Sequence, residues 1–338
     1  MDKPSSSANQ QLALFLDSLS IQIAGAHKRE DLRAILRKVS GFGRPLRYEN
    51  RAYWISLSAA LLTAALALLS LYFYPNNVAA PWFAAAAVLT SLVFASLIYV
   101  RRNKINGLSD ALYQRDVYLD NAWQSEPYHG KSLAAQLGQQ FSEFRRGNHL
   151  REISWLVKGE YQGSEHHFEY HAYNFHYVDR RQVTTTDSKG RVRTRTVYDH
   201  HYRFGLYLPF EFVRDIAISS SWFGGFFSGS YKPASVEFNR KFKVKAQNEL
   251  AAAKFLKPAV VVEIEDLGKE LSELNLEFSS SGQLCISYAQ NICSWQRQYG
   301  LDNPEQFLRE IEGDQTLTRL HNTLKRIHTL MRFSDNNF

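Results

Sequence analysis

The stretch "YFYPNNVAAPWF", residues 72–83, decides how this chain is organised. It is a turn signal with no charge in it, and no Asp, Glu, Lys or Arg occurs anywhere from Ala52 to Val100. Tyr53–Tyr74 forms one apolar run and Ala79–Val100 another. Each is close to the ~20 residues a helix needs to cross a hydrocarbon layer ~30 Å thick. Aromatic residues mark the ends of both runs: Tyr53 and Trp54, Tyr72 to Tyr74, Trp82 and Phe83, then Tyr99. Tyr and Trp favour the membrane–water boundary, where one edge of the ring is wet and the other is not. Pro75, Asn76 and Asn77 end the first helix in water. The quoted stretch is therefore expected to be the tip of a transmembrane hairpin, with spans at 53–74 and 79–100. A buried soluble hairpin would need a protein shell around helices apolar on every side. A signal peptide would begin nearer residue 1, with a shorter apolar core.

The flanking charges give the orientation. Arg33, Arg37, Lys38, Arg44, Arg47 and Arg51 precede the first span; Arg101, Arg102 and Lys104 follow the second; the connecting loop has none. Positive residues stay on the cytoplasmic side, so both termini are expected in the cytoplasm. This accounts for much of the net charge of +7 without nucleic acid. Ser56, Ala60 and Ala64 line one face of the first span, and Ala87, Ser91 and Ala95 one face of the second. Small residues at this spacing let helices approach closely, either within the hairpin or between copies of the chain. Neither span carries an ionisable residue, which suits an anchor better than a transport path.

Residues 1–52 read as a cytoplasmic segment with helices over Leu12–Ile23 and Lys28–Val39. In the second, Leu32, Ile35, Leu36 and Val39 share a face, with basic residues elsewhere. That face suits either the anionic leaflet or the rest of the protein. Residues 101–150 read as a helical connector, interrupted at Pro127–Gly130. From about residue 151 to 338 the pattern becomes that of a cytoplasmic α+β domain, with a mostly antiparallel sheet and packed helices. "HFEYHAYNFHYV" (167–178) and "VYDHHYRFGLYL" (197–208) are two long strands, joined through a turn at Asp187–Gly190. "DIAIS" (215–219), "VEFNRKFKV" (236–244), "LNLEF" (274–278) and "QLCISY" (283–288) are further strand candidates. Asn248 and Pro258 start helices, and Asn303-Pro304 opens another. The last helix steps through Leu317, Leu320, Leu324, Ile327 and Met331, a face for core packing or, less suited by its length, a coiled-coil seam.

No nucleophile elbow, phosphate loop or dinucleotide fingerprint occurs, so catalysis has no positive support and no cofactor is expected. With only Cys285 and Cys293, there is no disulfide framework or zinc motif. His167, Glu169 and His171 share a strand face and are the residues most suited to a metal ion or to pH sensing. The hairpin tip carries Arg180 and Arg181 on one arm and Arg191, Arg193 and Arg195 on the other. Such a stripe suits lipid headgroups or an acidic partner, or serves to keep an exposed hairpin soluble. "SSSWFGGFFSGS" (219–230) is an aromatic loop that could touch a partner or cover the sheet. The expected role is a non-enzymatic, membrane-anchored binding or scaffold protein, meeting a protein partner, a second copy or the bilayer. The alternative is a metal-binding or pH-sensing domain.

The pieces "HHYRFGLYLPFEF" (200–212), "ASVEFNRKFKVKAQNELAAAKFLKPAVVVEIEDL" (234–267) and "LEFSSSGQLCISY" (276–288) carry a resemblance. Gly205-Leu206, Glu237–Val244 and the Ala-rich run from Ala251 to Pro258 resemble the pattern of a bacterial family of two-span inner-membrane proteins with a domain of unknown function. Phe255-Leu256-Lys257-Pro258 departs from the Leu-Thr-Pro type of step such proteins have there. The resemblance covers about residues 150–290. It implies a bacterial inner-membrane location and an anchor-plus-domain plan, and it implies no catalytic residues.

Overall fold

The computed structural model describes residues 8–43, 46–186, 192–221 and 226–335. The expected turn at 187–190, Arg191 and the Trp222–Gly225 part of the aromatic loop lie outside them. The fold is α+β. By packing, the chain divides into two units: Met1–Asp120 with Gln296–Gln315, and Asn121–Trp295 with Thr316–Phe338. Segment 296–315 thus joins the first unit and 121–150 the second.

In the first unit, α1 (Ala8–Ala24) and α2 (Arg29–Ser40) precede two long apolar helices, α3 (Arg51–Phe73) and α4 (Ala80–Asp120). Both are long and apolar enough to cross a membrane. The second does not stop at Val100 but runs unbroken for 41 residues, because Ile105, Leu112 and Val117 keep the helical period after the basic residues. α3 and α4 pack on each other through small side chains. Ala60 and Ala64 are buried on α3, and Ala80, Ala84, Ala87 and Ser91 on α4. Ala95, expected on this seam, is exposed; the seam follows Ala84 instead. At the foot of the pair, Arg101 Nη1 donates to Asn50 Oδ1 at 2.9 Å and Nη2 to the Tyr53 hydroxyl at 3.1 Å. Its guanidinium lies 4.3 Å from the centre of the Tyr53 ring, a cation–π contact.

The apolar face of α2 (Leu32, Ile35, Leu36, Val39) is buried. It packs against α1, α4 and α9 (Pro304–Glu312), so the protein and not the leaflet covers it. Asp31 accepts from the amides of His27 and Lys28, both at 3.0 Å, and closes the helix start. Asp116, well beyond Val100, is fully buried in this unit, and neither of its oxygens has a hydrogen-bond partner among the described residues.

The second unit is built on an eight-stranded antiparallel sheet in the order β1-β2-β3-β8-β7-β4-β6-β5. The strands are β1 (Leu150–Gln162), β2 (His167–Thr186), β3 (Val192–Pro209), β4 (Ile216–Ser219), β5 (Gly229–Tyr231), β6 (Lys243–Ala246), β7 (Asn275–Phe278) and β8 (Gln283–Tyr288). β2 and β3 pair from His171–Tyr207 to Thr186–Val192 without a slip. Tyr173 sits opposite Gly205, where an added Cβ would meet the Tyr173 hydroxyl at 2.5 Å and the Ile286 carbonyl at 2.2 Å. Glycine is needed there because the ring lies across the strand.

On one face of the sheet, α5 (Gly130–Gln140) and the 3-10 turn Ser142–Arg145 bring Leu137, Phe141 and Phe144 against Tyr173, Phe175 and Cys285. Phe141 and Phe144, within the stretch expected to be a helical connector, lie after α5, which ends at Gln140. The remaining helices are α6 (Val236–Lys241), α7 (Glu249–Phe255), α8 (Pro258–Glu270) and α10 (Thr318–Ser334). α8 and α10 pack on each other and share Arg326, which reaches Glu263 at 3.0 Å and Glu270 at 2.6 Å. Leu320, Leu324, Ile327 and Met331 of α10 are buried as expected. Asn248 caps α7 by accepting from the Leu250 and Ala251 amides.

The reading of "VEFNRKFKV" as one strand is corrected: it forms α6 and then β6. Ser235 Oγ accepts from the Phe238 amide at 3.1 Å and caps the turn, and Val236, the first apolar residue of the pattern, is 83% exposed.

Asp116 generates a prediction. Burial and the neighbouring Asp120 raise its carboxyl from an ordinary 3.8 to about 7, against the opposing charges of Arg29 and Arg33. Between about pH 4 and 7 the folded chain holds a proton that the unfolded chain has released, so stability falls as pH rises through that window. The loss attributable to this group is up to roughly 4 kcal/mol. Replacing Asp116 by Asn is expected to flatten that fall in the melting temperature of the detergent-solubilised chain; an unchanged pH profile would contradict it.

Candidate functional site

The β2–β3 pair is long enough to leave the packed core, and its two faces differ. Direct cross-strand partners share a face. Arg151 on β1 is opposite Tyr177, Tyr177 is opposite His201, and the same face continues through Asp179–Asp199, Arg181–Val197, Val183–Arg195 and Thr185–Arg193. Arg181, Arg193 and Arg195 therefore point one way, as the alternation requires. Arg180 lies on the opposite face, beside Tyr198. Arg181 Nε is 2.5 Å from Asp199 Oδ2, and His201 lies 3.6 Å from Asp179. Arg193 and Arg195 are exposed and have no carboxylate partner among the described residues.

The same face has a second basic region that the sequence reading missed. A groove of about 510 Å³ is lined by Lys131, Arg145, His149 and Arg151, with no carboxylate among its lining residues. Backbone carbonyls, which carry no formal charge, hold the two guanidiniums. Arg145 Nε donates to Gly138 O at 2.6 Å. Arg151 donates to the Arg146 carbonyl at 2.9 Å and to the Gly147 carbonyl. Gly147 has φ +77°, and a Cβ there would meet the Tyr177 ring at 2.9 Å, so the turn that aims Arg151 requires glycine. The signal was the run Arg145-Arg146-Gly147 just before a strand, too short to stand out in a basic chain.

Beneath this face lies a buried ionic network. Glu143 Oε1 accepts from Arg203 Nε at 2.8 Å and pairs with Arg146 Nε at 2.9 Å; Oε2 accepts from Asn275 Nδ2 at 2.9 Å. Glu277 accepts from the Ser142 amide at 2.6 Å, the Ser142 hydroxyl at 2.7 Å and the Glu143 amide at 2.9 Å. Arg203 also reaches Glu273 Oε2 at 3.1 Å and the Glu273 carbonyl at 2.7 Å. Burial raises the Glu143 carboxyl, but Arg203 and Arg146 outweigh it and hold it below the ordinary range. Glu277 is pushed by burial up to about 7 despite its bonds to Ser142. These bonds fix the turn Ser142–Arg145, and with it Arg145, to the sheet.

His167, Glu169 and His171 do share one outward face of β2, as expected. Each has a different partner: His167 pairs with Glu160 at 2.6 Å, Glu169 with Lys158 at 2.8 Å, and His171 lies 3.7 Å from Glu126. His171 is stacked on Tyr207, and burial lowers its pKa. Among the described residues no group of three or more His, Cys, Asp or Glu side chains stands where it could hold a metal ion. The imidazoles that do meet are His176 and His200, ring nitrogens 2.9 Å apart, with the other nitrogen of His176 3.0 Å from Glu152. They meet diagonally across strands, since Val178 and Tyr202 are their direct partners. Cys285 and Cys293 are both free and buried.

Comparison with protein-family models, with curated proteins and with solved structures gives no match to this chain. The functional reading therefore rests on the geometry of the chain itself.

The buried network makes a stability prediction. Arg203→Met removes one partner and leaves Glu143 charged and buried, which is expected to destabilise the fold by roughly 3–5 kcal/mol. Glu277→Gln removes the carboxyl that burial raises from 4.5 to about 7 but turns an amide NH2 towards donors that both oxygens accept from; its cost is expected to be smaller than that of Arg203→Met and to shrink as pH rises through that window. Chemical denaturation followed by tryptophan fluorescence compares the two; equal effects would contradict the roles assigned to them.

Proposed function

We propose that this chain is a membrane-anchored binding protein of the bacterial inner membrane, with α3 and α4 as its anchor and both termini in the cytoplasm. Its basic sheet face binds an anionic surface, either bilayer headgroups or an acidic protein. The role is one of binding or scaffolding rather than catalysis. A single observation carries the reading: Arg151, Arg193 and Arg195, with Lys131 and Arg145, project from one side of the second unit with no carboxylate opposite them. Exposed like charges of this kind repel one another, and an anionic surface relieves that repulsion. Each basic residue near an anionic leaflet adds ~1 kcal/mol of attraction. The basic residues on either side of the hairpin, and none in its loop, support the orientation. The sequence resemblance over residues 150–290 agrees with this plan.

The test uses the full chain in nanodiscs. With phosphatidylglycerol present, amide exchange over residues 192–199 is expected to be slower than in phosphatidylcholine alone. Arg193→Glu with Arg195→Glu should abolish that difference and make it insensitive to salt. If lipid has no effect, crosslinking in intact membranes decides for an acidic protein when the same variants lose an adduct. Neither effect would overturn the proposal.

A further inference from the structure

The first unit has an open cavity of about 700 Å³ at the start of α3, lined by Arg47, Glu49, Arg51, Trp54 and Ile55, with Asn9 at its edge. The backbone there is fixed. Asn9 Nδ2 donates to the Glu49 carbonyl at 3.1 Å, and Asn9 Oδ1 accepts from the Glu49 amide at 2.9 Å. Tyr48 is buried beneath Arg101, 5.2 Å from its guanidinium. Arg47 and Glu49, on either side of Tyr48, are exposed, as is Arg51. None of these three side chains has a hydrogen bond or ion pair among the described residues, although two cations and an anion border one cavity. Trp54 and Ile55, 54% and 60% exposed, form the apolar wall and lead onto the outward surface of α3 at Leu61 and Leu62.

We propose that this cavity binds the headgroup of a phospholipid bearing a free amine, such as phosphatidylethanolamine. Arg47 and Arg51 take the phosphate, Glu49 takes the ammonium, and Trp54 and Ile55 take the glycerol and upper acyl chain. The site rests on the reading of α3 as a membrane span. Phosphate is well matched by guanidinium donors that have no carboxylate of their own. The Asn50 side chain makes no capping hydrogen bond to the start of α3. Glu49 supplies the discrimination. Phosphatidylglycerol carries the same phosphate but offers Glu49 only a neutral hydroxyl, and a trimethylated headgroup has no N–H to donate to it. An ammonium satisfies it. Trp54 sits where an indole prefers to be, at the boundary between headgroup and chain.

The experiment is native mass spectrometry of the full chain in detergent micelles, with phosphatidylethanolamine, phosphatidylglycerol and phosphatidylcholine in equal amounts. The wild-type chain is expected to retain the ethanolamine lipid several-fold over the choline lipid. Glu49→Gln should remove that preference while keeping bound lipid. Arg47→Gln with Arg51→Gln should remove most bound lipid. All three side chains are exposed, so the variants are expected to melt like the wild type. Equal retention of the two zwitterionic lipids, or a preference unchanged in Glu49→Gln, would overturn the site and leave the anchor reading intact. A chain that stays dispersed and lipid-free without detergent would overturn both.

Discussion

Leu61, Leu62, Leu66, Leu68 and Leu69 on α3, and Trp82, Phe83, Leu89 and Leu92 on α4, are all more than half exposed. No element among the described residues covers this surface, and no charged side chain interrupts it between Ala52 and Val100. Burying a side chain of this kind is worth ~1.5–3 kcal/mol. Leaving nine of them largely in water would therefore cost on the order of 10 kcal/mol, comparable with the whole stability of an ordinary domain. A hydrocarbon solvent removes that cost and leaves the helix backbones internally hydrogen-bonded. The small residues Ala60, Ala64, Ala84, Ala87 and Ser91 turned inwards, and Arg101 fastened across the foot of the pair, are what such a hairpin needs to stay closed.

The second unit meets a different constraint. The face of its sheet under the turn Ser142–Arg145 carries charge, and Glu143 and Arg203 are almost wholly buried. An unpaired carboxylate there would be strongly unfavourable, so Glu143 takes three contacts from three directions: Arg203 on β3, Asn275 on β7 and Arg146 just after the turn. The result is a rigid joint between α5 and the sheet. That joint, with the Gly147 turn, is why Lys131, Arg145 and Arg151 gather on the side to which Arg193 and Arg195 also point.

Much of this was legible from residue type and spacing. The two apolar runs, the long β2–β3 pair, the Asn248 and Pro258 helix starts and the core face of α10 follow from local rules that the structure obeys. Where reading failed, tertiary contacts outweighed local pattern. "VEFNRKF" alternates like a strand, yet the Ser235 cap turns it into a helix. Glu143, Arg203 and Glu277 look like ordinary surface residues, because the contacts that bury them, Arg203 with Glu143 and Glu277 with Ser142, join residues 60 and 135 positions apart. Spacing along one strand singled out His167 and His171, whereas His176 and His200 meet through a register visible only once the strands are paired. Arg47 and Arg51 mark orientation in the sequence, and nothing local shows that the Glu49 carboxylate between them has no partner among the described residues.

The proposal that α3 and α4 form a membrane hairpin underlies the others, and its topology is directly measurable. Single cysteines at Asn76 and Thr318, in a chain with Cys285 and Cys293 replaced by Ser, would be probed in intact cells with a thiol reagent that does not cross the inner membrane. Labelling at position 76 and protection at position 318, reversed only when the cells are opened, is the predicted result. Labelling at position 318 in intact cells, or a chain recovered in the soluble fraction, would contradict it.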